Sequence, residues 1–218
     1  MTYLIACEML RDELELAMET TGISYPTIWM EKGLHDNPQK LRDTLQAQLD
    51  ALPEDCELVL FAMAYCGGAM DGLTSKTARL AAPRFDDCIR LLLSLEPEIR
   101  NGADSRSLYF TRQWLDSDRY FFRDYESYIV RYGEKKAKKI LKLMLAHYEG
   151  YRMVDSGAYD IAALEADARE HAALLGLTYS VQPGSIRVLE KLLRQELDEE
   201  FCLAAPGEAL TQRQFLVY

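Results

Sequence analysis

The stretch ELVLFAMA, residues 57–64, is the most continuous apolar run of the chain, and the sequence YCGG follows it at once. A short apolar run bounded by turn residues is typical of a strand that is buried on both faces of a parallel sheet. The run therefore predicts a central strand of such a sheet, with Cys66 directly beyond its carboxyl end.

Strand and helix patterns alternate on both sides of this run, and the start of the second predicted helix is marked by Asn37-Pro38, a capping residue followed by a first-turn proline. The other predicted elements near the central strand are a strand over Tyr3–Cys7, a helix over Arg11–Thr21, a strand over Thr27–Glu31, a strand over Ala78–Ala82 and the helix IRLLLSL. Alternation of this kind predicts an α/β fold with a mostly parallel, doubly wound sheet.

The pattern changes after residue 97. Residues 98–149 read as a helical, aromatic-rich insertion, and strand-helix alternation resumes over residues 150–218. The later elements are the strand GYRMVD, a helix over Ile161–Leu175, the strand LTYSV, a helix over Ser185–Leu197 and the strand EFCLA. The sequence thus predicts an N-terminal α/β half over residues 1–97, an insertion, and a C-terminal half that completes the same domain.

Composition excludes several partners. A formal net charge of -10 and a pI near 4.9 argue against nucleic acid, because phosphate binding needs a clustered basic surface. The one basic cluster, EKKAKKILK, lies on an amphipathic helix and is typical of a solvated face. No stretch reaches the roughly 20 apolar residues of a membrane span, and LIAC lacks the basic flank of a signal. We therefore expect a cytoplasmic protein with no membrane and no nucleic-acid partner.

The five cysteines are expected to be reduced thiols in this compartment, and their positions are informative. Ligands of open α/β sheets bind outside the carboxyl ends of the strands. Three predicted strand ends lead into Cys7, Cys66 and Cys88, and a fourth leads into His35. Cys56 precedes the third predicted strand, at the opposite edge of the sheet, and Cys202 lies inside the last one, so these two serve as an internal comparison.

Thiolate and imidazole are the ligands of zinc, and thiolates also hold iron-sulfur clusters. The sequence therefore predicts a metal site built from Cys7, Cys66 and Cys88, with zinc favoured and an iron-sulfur cluster as the alternative. His35 is either the fourth ligand or a solvated neighbour of the helix cap at Asn37. The chain has no CxxC spacing, so the prediction depends on topology, and the competing interpretation is that each cysteine is a small buried apolar residue.

Other polar and glycine residues follow the predicted strands. Asp86 and Asp87 are candidate acid-base residues or partners of a metal ligand, and paired acids before a helix also serve as caps. A further set at strand ends would line a small-molecule or cofactor crevice, or form ordinary turns: Tyr65, Gly67, Gly68, Asp155, Ser156, Gly157 and Gly207. No Walker, dinucleotide or GxSxG pattern is present.

Several ordered blocks together resemble a family of proteins of unknown function. The blocks that carry the resemblance are ACEMLRDEL, GLHDNPQKLRDTLQ, AYCGGAMDGLTS, LAAPRFDDCIRLLL, YGEKKAKKILKLMLAHYEGYRMVDSGAYD and the closing AAPGE. The family occurs in methanogenic archaea and anaerobic bacteria, often encoded near corrinoid-dependent methyltransferases. Its pattern, as far as this chain matches it, places cysteines at Cys7, Cys66 and Cys88 and a histidine at His35.

The resemblance implies a context of anaerobic one-carbon metabolism, with a corrinoid protein or a methyltransferase as partner. Three functions stay open at this point. The first is a metal-binding protein, either without turnover or as a metal-dependent methyl-transfer or thiol-chemistry enzyme. The second is an accessory protein for a corrinoid, a metal or a methyltransferase. The third is a small-molecule binding domain with structural cysteines.

Overall fold

A computed structural model describes residues 1–96, 103–116 and 121–215, with the side chains of residues 35, 36 and 121–124 left out. The described strands are β1 (Thr2–Cys7), β2 (Thr27–Met30), β3 (Leu58–Ala62), β4 (Arg79–Pro83), β5 (Ser107–Phe110), β6 (Gly150–Asp155), β7 (Thr178–Pro183) and β8 (Phe201–Ala204). The described helices are α1 (Arg11–Thr21), α2 (Pro38–Asp50), α3 (Cys88–Leu93), α4 (Arg112–Leu115), α5 (Phe121–Tyr132), α6 (Glu134–Met144), α7 (Ile161–Leu175), α8 (Arg187–Leu193) and α9 (Gln212–Phe215). The mixed α/β class with mostly parallel sheets is confirmed.

The chain divides into two compact units, Met1–Gly102 with Ser185–Tyr218, and Ala103–Gly184. The first unit holds a five-stranded sheet in the order β2-β1-β3-β4-β8. The first four strands run parallel, and β8 is antiparallel to β4. Every residue of β3 is buried, as the continuous apolar run predicts for a central strand.

Local signals set the ends of the elements in the first unit. The Asn37 side chain accepts a hydrogen bond from the Lys40 N–H at 3.0 Å, and Pro38 fills the first turn of α2. Helix α1 ends at Gly22, which adopts the left-handed conformation that favours glycine. Helix α1 packs against α8, so the chain that returns from the second unit completes the helical cover of the first sheet.

The second unit holds a three-stranded parallel sheet in the order β5-β6-β7. Phe110 and Tyr151 stack with ring centroids 4.3 Å apart, and α5, α6 and α7 contribute Tyr125, Leu141 and Ala172 to the same core. The opposite face is polar, because the Arg152 guanidinium donates hydrogen bonds to the hydroxyls of Ser107 and Ser180 at 2.8 and 3.0 Å.

The structure groups the chain differently from the three segments expected over residues 1–97, 98–149 and 150–218. Strand β5 of the expected insertion pairs with β6, so insertion and later strands share one unit with its own sheet. Of the described strands after β5, β8 alone returns to the first sheet, and it returns antiparallel. Hydrophobic patterning identifies a short strand without specifying its partner strand, which is why the expected segments and the compact units differ.

Among the described residues, no helix combines the length and apolar character needed to cross a membrane.

Candidate metal centre

The carboxyl ends of β1, β3 and β4 lie side by side at one edge of the five-stranded sheet. Beyond β3 and β4 the two connecting segments stay joined by backbone hydrogen bonds. The Tyr65 N–H donates to the Phe85 carbonyl at 2.9 Å, and the Cys66 N–H donates to the Asp86 carbonyl at 3.0 Å. These bonds hold Cys66 beside the segment that leads into Cys88, which is the first residue of α3.

The three expected thiols come together at this edge. The Sγ atoms of Cys66 and Cys88 are 3.9 Å apart, and Cys88 is also the neighbour that most strongly affects the pKa of the Cys7 thiol. Cys7 Sγ in addition accepts a hydrogen bond from the Met9 N–H at 3.3 Å. Cys88 therefore interacts with two other thiols, one at the end of β1 and one beyond the end of β3.

Clustering raises the pKa of the thiols. The pKa of Cys7 and that of Cys66 both lie well above the ordinary value, first because each thiol hydrogen-bonds with Cys88, and then because of burial and of repulsion from the neighbouring thiolate. Asp87 adds to the repulsion at Cys66. A thiol used as a nucleophile has a lowered pKa and a cationic neighbour, so these thiols have the opposite environment.

The turn that carries Cys66 has an unusual backbone. Cys66, Gly67 and Gly68 have φ angles of 48°, 68° and 102°, all in the region that favours glycine. For the non-glycine Cys66 this conformation costs on the order of 1–2 kcal/mol. The Arg42 guanidinium donates a hydrogen bond to the Gly68 carbonyl at 2.8 Å, and a Cβ at Gly67 would meet the Pro38 ring at 3.3 Å.

The first turns of α2 thus hold the Cys66 turn in place. Arg42 is a residue that sequence reasoning missed, although it stands four residues after Pro38 and therefore on the same face of α2. Asp12 and Glu13 are two charged residues whose burial sequence reasoning also missed. Both are buried in the first turn of α1, which starts at the thiol-bearing edge, and both have interaction partners.

The other two cysteines, Cys56 and Cys202, serve as an internal comparison for the thiol cluster. Cys56 precedes β3, at the opposite edge, and its thiol contacts the Leu58 carbonyl at 3.7 Å. Cys202 lies within β8 opposite Ala82. Burial raises the pKa of Cys202 to about 11 against the effect of Arg84, and no thiol contributes to the shift of either cysteine.

The two candidate acid-base residues are engaged in structure. The Asp87 carboxylate caps α3 by accepting a hydrogen bond from the Arg90 N–H at 2.8 Å, and burial raises its pKa more than this bond lowers it. Asp86 forms an ion pair with the Arg90 guanidinium at 3.1 Å. The capping alternative therefore describes Asp87, and a catalytic role for either residue stays a prediction.

Of the expected crevice residues, Tyr65, Gly67 and Gly68 flank Cys66. Tyr65 is buried, and its ring packs on Phe215 with centroids 4.9 Å apart. Gly67 is exposed to solvent and Cys66 is partly exposed as a residue, so the turn that carries Cys66 reaches the surface.

The remaining crevice residues belong to other parts of the chain. Asp155, Ser156 and Gly157 belong to the second unit, where the Asp155 carboxylate accepts a hydrogen bond from the Gly157 N–H at 3.2 Å in an ordinary turn. Gly207 follows β8, and because β8 runs antiparallel, this glycine lies at the amino-terminal edge of β4, where its N–H donates to the Ser75 carbonyl at 2.7 Å. Gly207 therefore lies at the edge opposite the thiols, and its role in a ligand crevice stays a prediction.

The His35 side chain lies outside the described residues, so its expected role as fourth ligand stays a prediction. Its backbone belongs to a short 3-10 helix that directly follows β2 at the thiol-bearing edge. Among the described side chains, no group of three or more His, Cys, Asp or Glu stands in an arrangement ready to hold a metal ion.

A comparison with protein families adds one finding. Residues 29–193 match the family described as "Protein of unknown function (DUF1638)". The chain belongs to this family. The matched range includes Cys66, Cys88 and position 35, whereas Cys7 precedes it. Comparison with curated proteins and with solved structures gives no match.

Proposed function

We propose that Cys7, Cys66 and Cys88 bind a metal ion, with zinc as the favoured ion. The observation that carries the proposal is the 3.9 Å separation of the Cys66 and Cys88 sulfur atoms. Two thiolates bound to one tetrahedral zinc at a Zn–S distance of about 2.3 Å have their sulfur atoms about 3.8 Å apart. The pair therefore already has the spacing of one edge of a zinc-thiolate tetrahedron.

The third thiol supports the same assignment. Cys7 contacts Cys88, and Cys7 comes from a strand that neighbours β3 in the sheet. The three side chains would have to rotate to surround one ion, because their described arrangement is not ready to hold a metal. Three thiolates leave one tetrahedral position open, which His35 would close and which a ligand or water would otherwise occupy.

Electrostatics also favour a cation. Three thiolates at such distances repel one another, and the largest electrostatic influences on Cys66 come from Cys88, Cys7 and Asp87. A divalent ion would stabilise the ionised thiols and release their protons. It would supply Lewis-acid chemistry and activate a bound thiol, while the chain's own groups hold it and expose it on the Cys66 and Gly67 side.

An iron-sulfur cluster is the alternative occupant, because the same three thiolates are suitable ligands for one. The biological context is proposed on the resemblance alone: a cytoplasmic protein of anaerobic one-carbon metabolism that works with a corrinoid protein or a methyltransferase. Methyl transfer from a methyl-corrinoid to a thiol acceptor is the turnover that would separate an enzyme from an accessory protein.

The test is the metal and acid-labile sulfide content of the full chain purified without oxygen. Wild type is compared with Cys7→Ser, Cys66→Ser and Cys88→Ser, and with Cys56→Ser and Cys202→Ser as matched controls. We expect near-stoichiometric metal that is lost in the first three variants and kept in the controls, with sulfide deciding between zinc and a cluster. Folded wild-type protein that takes up neither zinc nor iron and sulfide on reconstitution would refute the proposal.

A further inference from the structure

Cys66 and Cys88 differ from the other described thiols in two respects that matter for oxidation. Their sulfur atoms are 3.9 Å apart, and a disulfide bond of about 2.05 Å needs them only about 2 Å closer. Cys66 is partly exposed, whereas the residues Cys7, Cys56, Cys88 and Cys202 are buried. The pair therefore combines a short sulfur-sulfur distance with the one cysteine of the five whose residue is not fully buried, so Cys66 is the member nearer to an external reagent.

The backbone around Cys66 permits the movement. Cys66 sits in the left-handed region, which is strained for a non-glycine residue, and it is followed by two glycines, whose backbone adopts many conformations readily. Cys7 is placed differently. It is the last residue of β1, pairs with Met30 of β2, and its sulfur accepts the Met9 N–H. Cys7 is consequently held by the sheet while Cys66 is held by a turn.

We propose that Cys66 and Cys88 form a thiol-disulfide modification site whose reagent is a low-molecular-weight disulfide. Because the pKa of Cys66 is raised, its thiol must first lose a proton to solvent, and the reaction is slow at neutral pH. The thiolate then attacks one sulfur of the reagent, the reagent's S–S bond breaks, and one small thiol leaves. The Cys88 thiolate then attacks Cys66 Sγ and releases the second small thiol. The two protein thiols lose two electrons and two protons, and the reagent disulfide is reduced to two thiols.

Oxidation and metal binding compete for the same two sulfur atoms, and this second consequence rests on the proposed function. A disulfide between Cys66 and Cys88 removes two of the three thiolates, so the oxidised chain would release the metal. Bound metal would in turn slow the oxidation, because both thiolates would already be coordinated. The redox state of the surroundings would thereby decide whether the site is loaded.

The experiment treats the metal-free full chain with oxidised glutathione, alkylates the remaining thiols, and maps the tryptic peptides by mass spectrometry. Cys56→Ser is the background, because Cys56 and Cys66 share the tryptic peptide over residues 43–76. Cys88 lies in the peptide over residues 85–90 and Cys7 in that over residues 1–11, so the peptides report the three thiols separately.

We expect a link between the peptides of Cys66 and Cys88, with Cys7 and Cys202 still alkylated. Adding Cys88→Ser should trap glutathione on Cys66, and adding Cys66→Ser should leave Cys88 unmodified. A link from Cys7 to Cys88, or no link in protein whose circular dichroism shows it folded, would overturn the proposal.

A parallel sample preloaded with zinc separates this inference from the metal proposal. A link that forms in metal-free chain which never binds zinc would refute the metal site and leave the modification site standing. Zinc binding by a chain that forms no link would refute the modification site and leave the metal site standing. Slower linking in the zinc-loaded sample is the result expected if both proposals hold.

Discussion

The two sheets of this chain differ at the carboxyl ends of their parallel strands. At the carboxyl edge of the five-stranded sheet, three strands deliver thiols that contact one another, and the connecting segments are joined by backbone hydrogen bonds. At the carboxyl end of β6 in the three-stranded sheet, Asp155 instead accepts the N–H of Gly157 two residues later. Parallel strand ends are therefore not sufficient for a site; side chains from different strands must also meet there.

The largest expected effect is the loss of bound metal in Cys88→Ser. Cys88 contacts both other thiols, so its replacement removes the centre of the cluster, and we expect metal content to fall from near one per chain to background. The measurement is metal analysis after dialysis against a weak chelator. Asp155→Ala in the second unit is the matched strand-end change and should leave metal content unaltered; equal loss in both would contradict the assignment.

The two units also contain contrasting arginine networks, which gives a second prediction. The Glu200 carboxylate is buried and pairs with Arg187 at 2.7 Å and Lys191 at 2.6 Å. Removing one partner of a buried pair costs about 3–5 kcal/mol, so Glu200→Gln should lower the free energy of unfolding by about that amount. Urea unfolding measures it. Asp104→Asn, at the exposed partner of Arg152, should have little effect.

The pH dependence of stability provides a third prediction from the same group. Burial disfavours the ionised Glu200, but the hydrogen bonds from Arg187 and Lys191 outweigh it and lower its pKa to about 2 from 4.5. The stabilisation is therefore complete above about pH 4.5 and is lost as the pH falls towards 2. Unfolding free energies across this range should decline less steeply in Glu200→Gln than in wild type. Parallel curves would show that other carboxylates dominate.

Sequence patterns could predict the elements well where local chemistry sets the ends. Helix α7 runs over the expected Ile161–Leu175, because the Asp160 carboxylate caps its first turn and Gly176 adopts the left-handed conformation at its end. The meeting of Cys7, Cys66 and Cys88 was predictable because parallel strands must end at one edge.

The remaining features depend on contacts between segments that are distant in sequence. The separate pairing of β5 with β6 and the antiparallel direction of β8 follow from which strands pack together, and a short strand's own pattern does not contain that information. The position of Gly207 at the edge opposite the thiols follows from the direction of β8. Arg42 was missed because its importance lies in one hydrogen bond to a carbonyl 26 residues away.

A fourth prediction compares two glycines at positive φ. Gly67 has a φ of 68° and the Pro38 ring beside it, whereas Gly157 has a φ of 77° and open space around it. Either change to alanine should cost about 1–2 kcal/mol of stability through the left-handed backbone. Only Gly67→Ala should also weaken metal binding, because it displaces the turn that carries Cys66. Zinc titration against a chromophoric chelator distinguishes the two variants.

The smallest expected effect concerns Arg42, which holds the Cys66 turn without contacting a thiol in any described interaction. Its hydrogen bond to the Gly68 carbonyl fixes the turn against α2, so Arg42→Ala should leave the thiols in place but less well oriented. Groups that orient ligands typically change metal affinity by about 10–100-fold, and we expect the lower end here. Arg42→Lys should recover part of the affinity, because one donor suffices for one carbonyl. Arg169→Ala, which removes an exposed ion pair in the second unit, is the control. An unchanged zinc affinity in Arg42→Ala would mean that the glycine turn and its bonds to residues 85 and 86 orient Cys66 unaided.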